Sequence, residues 1–159
     1  MRKKIIPQQN QTASPLQQGW MNLEQLAQVE VSSEEEAHPI EAALTETAED
    51  EEGWVAAQPG TQTIRIVFDA PQRINRIRLL FRVRGQERTQ EFLLRWQPTG
   101  DESYRQIVRQ QYNFSPEHST EELEDYAVEL DSVESLEITI IPDINGRSAY
   151  ASLTQLRLS

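Results

Sequence analysis

The chain has 159 residues, no cysteine, a hydrophobic fraction of 37% and a formal net charge of −11. Its length sets a single domain as the expectation and leaves enough chain for a core. Without cysteine there is no disulfide framework and no thiolate metal site. The acid excess speaks against general nucleic-acid affinity, which needs a net basic face to displace counterions.

The start, MRKKIIPQQNQTASP, is basic but has no apolar run of signal-peptide length. Nothing later approaches the roughly 18 apolar residues of a membrane span. The expectation is a soluble, cytoplasmic protein. Charge is unevenly placed. Glu24 to Glu52 holds eleven acidic residues and no Lys or Arg, whereas Arg65 to Arg109 holds ten Arg against five acids. Such asymmetry is either self-complementary or steers an anionic partner.

In chain order, residues 1–15 read as a polar, Gln-rich tail, and 16–159 as the folded domain. Leu16, Trp20, Leu23, Leu26 and Ala27 have helical spacing, and Val29 and Val31 then alternate. A helical turn leading into a strand and a full helix fit these signals equally well. Ser33 to Gly60 is a long connection carrying a short helical segment, HPIEAAL, with Pro39 suited to its first turn. From Thr63 onward period-two runs take over: TIRIVFD, INRIRLLFRVR, TQEFLLRW, YRQIVRQ, YAVELD, LEITII and ASLTQLRL. Short alternating strands separated by turn signals predict an all-β sandwich or barrel.

The alternation also assigns faces. Ile77, Leu79, Phe81 and Val83 point inward, as do Phe92, Leu94 and Trp96 and then Leu136, Ile138 and Ile140. Arg76, Arg78, Arg82 and Arg84 form an outward row, with Glu91, Glu129 and Glu137 as cross-strand partners or an anionic ligand in their place. Tight turns are expected at Asp69–Arg73, Pro98–Asp101 and Asp131–Glu134. Longer loops are expected over 85–88, 113–125 and 142–148. If each strand reverses direction, the tight turns share one end of the sandwich. The longer loops and the 33–60 connection share the other, which nominates that rim for binding.

Several of these residues together resemble the discoidin, or coagulation factor V/VIII type C, domain. They are Ser32-Ser33, His38-Pro39, Ala43-Leu44, Trp54 and Pro59-Gly60, followed by the strands Ile64–Phe68 and Ile74–Phe81. RTQEFLLRWQPTGDESYRQI is similar to that family's next hairpin, and ASLTQLRL to its closing strand. The resemblance covers about Val29 to Ser159. It implies an eight-stranded galactose-binding-like jelly roll that binds sugars, phospholipid heads or protein partners through loops on one rim, without catalysis. Most members are modules of larger chains, whereas this one is expected to stand nearly alone, and it has no cysteine. Many members hold a structural calcium through an Asp after the short helix and a Glu in the closing strand. The matching places here are Thr45-Glu46 and Gln155, and a neutral amide for a carboxylate weakens a hard-cation site.

The ligand-binding candidates are His38, Trp54, Arg88, Asn145 and Arg147. His38 either donates to a ligand or fixes the start of the short helix. Trp54, like Tyr112 and Phe114, either stacks on a sugar face or anchors its loop. Arg88 and Arg147 suit bidentate contact with carboxylate, phosphate or vicinal hydroxyls, unless they are merely solvated. Asn145-Gly146 is a turn signal. The acids Glu46, Glu49, Asp50, Glu51 and Glu52 lack the spacing of a calcium loop and read as a solvated loop tip. No nucleophile elbow or phosphate-cradling Gly loop occurs, so an enzyme is not expected. The expected function is a binding module for a carbohydrate or similar polar ligand. The alternative is a cytoplasmic protein–protein adaptor using the Arg-rich face or the acidic loop.

Overall fold

Two pairs of the alternating runs merge into strands far longer than any one run. The computed structural model describes residues 19–45 and 53–159. In it, β3 runs unbroken over Gln62–Arg82, 21 residues, and β6 over Glu121–Ile141. At about 3.3 Å per residue a straight strand of that length would reach ~70 Å. A chain of this size folds to a radius of gyration of about 15 Å, so both strands must bend. The bend falls where their pairing slips, between Val67 and Arg76 on β3. Asp69–Arg73 and the facing Asp131–Glu134 segment are therefore a shared corner. Ser132 sits in the left-handed region there, at φ 54°.

Before these strands come α1 (Leu23–Leu26), β1 (Ala27–Val31), α2 (Glu41–Leu44) and β2 (Trp54–Pro59). The others are β4 (Arg88–Pro98), β5 (Arg105–Phe114), β7 (Tyr150–Leu153) and β8 (Gln155–Leu158). One six-stranded sheet, ordered β1–β3–β6–β4–β5 with β8 on β3, folds over at the corner into two layers. β1, the first half of β3, the second half of β6, β4 and β5 make the first layer. The rest of β3 and β6, with β8, makes the second. β2 and β7 form a separate antiparallel ribbon. The eight strands and their layering are a galactose-binding-like jelly roll.

Between the layers lie the residues the alternation assigned inward. Ile77, Leu79, Phe81, Phe92, Leu94, Leu136, Ile138 and Ile140 are all buried. Phe81 and Phe92 meet from opposite layers with ring centroids 5.3 Å apart, a contact worth roughly 0.5–1.5 kcal/mol beyond burial. Trp96 is the exception. It is only partly buried, and the Arg105 guanidinium lies 5.5 Å over its ring.

Two stretches read as loop are strand. β2 lies inside the expected 33–60 connection, and WVAAQP carries too few β-branched residues to show it. β6 begins at Glu121, so the loop expected over 113–125 shrinks to 115–120. Here the inward positions are Glu122, Glu124 and Tyr126, paired opposite Phe81, Leu79 and Ile77. Polar residues on an inward face erase the apolar period.

Strand register gathers the long loops at one end. Val31, Gln62, Ile141 and Arg88 all end or begin there, while Ala27, Phe68, Pro98 and Arg105 lie at the other. Ser32 and Ser33 tie the loop end together: their Oγ atoms donate to Gln62 Oε1 at 2.6 and 2.7 Å.

Candidate ligand rim

The loop after β6 is built around a buried carboxylate. Asp143 Oδ1 accepts from Asn145 N at 3.0 Å, and Asp143 O accepts from Gly146 N at 3.3 Å. Gly146 takes φ +82°, the left-handed conformation that the Asn-Gly pair supplies cheaply. The same loop is stitched to the one before β4. Ile144 N donates to Thr89 O at 2.9 Å, Arg147 Nη1 to Glu87 O at 2.6 Å and Gln86 Nε2 to Ser148 O at 3.4 Å.

The two arginines here differ in standing. Arg88 is 5% exposed, and its Nη1 donates to Tyr150 O at 3.1 Å and Gln86 Oε1 at 3.0 Å. Burial pulls its guanidinium below the ordinary value, opposed by the nearby Asp143 carboxylate. Arg88 thus positions β7 and the loop and offers no face to a ligand. The Arg147 side chain is 52% exposed, with Nε 3.8 Å from Asp143 Oδ2. It is tethered at one edge and open at the other. Asn145 beside it is exposed.

Tyr150, which the sequence reading passed over, completes this surface. It is 47% exposed at the start of β7, and Ile144 is 43% exposed in the adjacent loop. The signal was present: Ala151 and Leu153 are buried, so period two turns Tyr150 outward. Pairing with Pro59 and Gly60 fixes its backbone, and Gly60 N donates to Ala149 O at 3.0 Å.

Trp54 is a correction to the expected ligand set. It is fully buried, its indole Nε1 donates to Ser33 O at 3.0 Å, and a ring so enclosed has no face left for a sugar. Phe114 is likewise buried, with Tyr112 edge-on to it at 4.9 Å. His38 accepts Val55 N at its carbonyl at 3.2 Å, and its Nδ1 lies 3.2 Å from Glu35 Oε1. Val55 is four residues before Pro59, about 13 Å of strand from the Tyr150 pairing. The structure therefore brings Arg88, Asn145, Arg147 and Tyr150 together and sets His38 apart.

Two of the four outward arginines are paired across strands, by other partners than those anticipated. Arg76 makes a two-pronged pair with Asp125 at 2.8 and 2.6 Å, and Arg82 pairs with Glu121 at 3.2 Å. Asp125 is held below its ordinary value by Arg76. Glu137 serves Arg65 and Arg95 instead. Its carboxylate is 4% exposed and accepts from Arg65 Nε and Nη2 at 3.2 and 2.8 Å and from Arg95 Nε and Nη2. Burial alone would raise the Glu137 carboxyl, but Arg95 and Arg65 hold it below the usual range. This clamp floors a polar groove of about 640 Å³ on the outer face of the first layer, also lined by Glu30, Thr63 and Thr139.

Of the calcium positions, Glu46 and the acids 49–52 lie outside the described residues. Gln155 is half-buried at the start of β8, paired opposite Leu80. The carbonyl oxygens of Ala43 and Thr45, at the end of α2, accept hydrogen bonds from Arg157. No described helix is long and apolar enough to cross a membrane.

No protein-family model and no curated protein matches the chain by sequence. Solved structures do match it in fold. A family 32 carbohydrate-binding module from C. perfringens NanJ, in complex with galactose, superposes with a TM-score of 0.62 at 13% identity, covering 87% of this chain and 96% of that one. Chitosan-binding module 1 of a Paenibacillus sp. IK-5 chitosanase/glucanase gives 0.59 at 12% identity, covering 87% and 98%. A pectin-binding carbohydrate-binding module gives 0.55 at 11%, covering 84% and 90%. The chain thus has the discoidin-like jelly roll of such modules.

Proposed function

We propose that this protein is a non-catalytic carbohydrate-binding module that takes a sugar on the rim formed by Asn145, Arg147 and Tyr150. The carrying observation is Tyr150, a half-exposed ring on rigid strand backbone beside a tethered but half-open guanidinium. A pyranose presents an apolar C–H face and a girdle of hydroxyls. Tyr150 supplies a flat partner for the first, and the Arg147 guanidinium and Asn145 amide supply hydrogen bonds for the second. Asp143 is engaged in holding the loop, which leaves the rim a recognition surface rather than an acid–base one. Fold neighbours whose ligands include galactose, chitosan and pectin support the same class of ligand.

An open rim of this kind binds weakly. At roughly 0.3–0.4 kcal/mol per non-hydrogen atom, one hexose gains about 4–5 kcal/mol, a Kd near 1 mM. A glycan-array screen of the full chain, repeated with Arg147→Ala and Tyr150→Ala, tests the proposal. Retention of one sugar class that both variants lose supports it. Binding that survives in both variants, or no retention of any glycan, sinks it.

A further inference from the structure

The closing strand carries a charge in a setting that normally excludes one. Arg157 stands between Leu156 and Leu158 in β8 and is 3% exposed. A guanidinium so buried is costly unless its donors find acceptors. Arg157 Nη2 donates to Thr45 O at 2.6 Å, and Nη1 donates to Ala43 O at 3.3 Å and to Leu156 O at 2.9 Å. Ala43 and Thr45 lie in the last turn and cap of α2, a four-residue helix. Carbonyls at a helix end have no acceptor role inside the helix and carry its partial negative charge. They are what a hard cation seeks, since backbone carbonyls are ordinary calcium ligands.

The place where the discoidin resemblance implies calcium is therefore already served. A divalent ion on Thr45 O would sit against a guanidinium charged across the working pH range. To coordinate, it would have to displace Arg157 and leave that charge buried without these acceptors. The remaining described donor, Gln155, brings an amide with no charge to offset the repulsion. The described donors do not fit calcium.

We infer that Arg157 is a built-in cation that joins the end of α2 to the closing strand in place of a metal, so that the fold is indifferent to calcium. Sequence distance makes the link useful: residues 43 and 45 are tied to a strand 112 to 114 positions later. Thermal unfolding of the full chain in millimolar calcium and in EDTA, with calorimetric titration of calcium, is the direct test. Unchanged Tm and no saturable heat are expected. A rise of several degrees with calcium, or a saturable site, overturns the inference. Arg157→Gln is expected to lower Tm in both buffers, and Arg157→Lys, which keeps the charge but not the fork, by less. Should Arg157→Gln fail to fold, the wild-type titration still decides. An Arg157→Gln protein as stable as wild type also overturns it.

Discussion

The two ends of this sandwich are made of the same strands and do different work. At the corner end the chain turns back within a few residues, and a backbone carbonyl fastens one turn to the next: Thr99 N and Oγ1 both donate to Ser132 O, at 2.8 and 3.0 Å. At the loop end, bonds cross between distant segments, 60 and 62 residues apart for the Arg147–Glu87 and Arg88–Tyr150 pairs. The first arrangement closes a fold. The second holds Tyr150, Asn145 and Arg147 in fixed relation while leaving their outer faces to solvent. Rigid strands beneath and cross-linked loops above are what a recognition surface needs.

Two glycines, Gly53 and Gly100, differ sharply in what surrounds them. A Cβ on Gly53, beneath the loop end, would lie 2.3 Å from Leu153 O and 2.5 Å from Thr154 O, with φ at +72° besides. Gly100, in the turn of the corner end, also has positive φ but open space around it. Gly53→Ala should cost about 3 kcal/mol or more in urea unfolding, and Gly100→Ala about 1 kcal/mol. Equal losses would break the comparison.

Next in size is the Arg65–Glu137–Arg95 clamp, away from both ends. Glu137→Gln leaves two guanidinium groups facing one another. Both are more than a third exposed, so water softens the loss to about 1–2 kcal/mol. Because the folded carboxyl is held below its ordinary value of 4.5, its contribution is complete above that pH and fades as pH falls through the depressed value. Urea unfolding at low and neutral pH should show the variant and wild type converging in acid. Glycan binding at the rim should be untouched.

Tyr150→Ala sharpens the comparison from the other side. Half of the ring is already in water, so stability should change by less than about 1 kcal/mol while affinity falls about tenfold, or ~1.4 kcal/mol. Calorimetric titration beside a melting curve separates the two effects.

The smallest effect near pH 5, and one that grows as pH rises, belongs to Glu122. It is 1% exposed, accepts from Gln90 Nε2 at 3.2 Å, and is pushed up to about 9 by burial and by its neighbour Glu124. The folded state keeps a proton that the unfolded chain releases near 4.5, so stability falls as pH climbs through that window. Glu122→Gln should remove this slope. Melting near pH 5 should match wild type, and near pH 9 the variant should be the more stable. A slope unchanged in the variant would place the proton elsewhere.

Much of the fold was legible because period two marks a strand with one dry face. Ile77, Leu79 and Phe81, or Leu136, Ile138 and Ile140, needed only counting. The period failed where the dry face is polar, at Glu122 and Glu124, and where small residues carry the strand, at Ala56 and Ala57. The rim was legible from strand parity alone, since direction of travel decides which loops are neighbours. The exposure of its residues was read less well. Trp54 looked available because an aromatic in a long connection gives no hint of the strand pairing that closes over it. Tyr150 was overlooked although Ala151 and Leu153 aim it outward, because it stands at the first position of a short strand. The burial of Arg88 and Arg157 depends on carbonyls 62 and 112 to 114 residues away, which no local pattern reports.

The measurement that bears most directly on the proposed binding rim is a backbone amide NMR titration with a panel of hexoses and hexosamines. Shifts confined to the amides of residues 86–88 and 144–150, absent from Tyr150→Ala, are the predicted result. Shifts centred instead on Arg65, Arg95 and Thr139, or none with any sugar, would contradict a ligand site at the loop end.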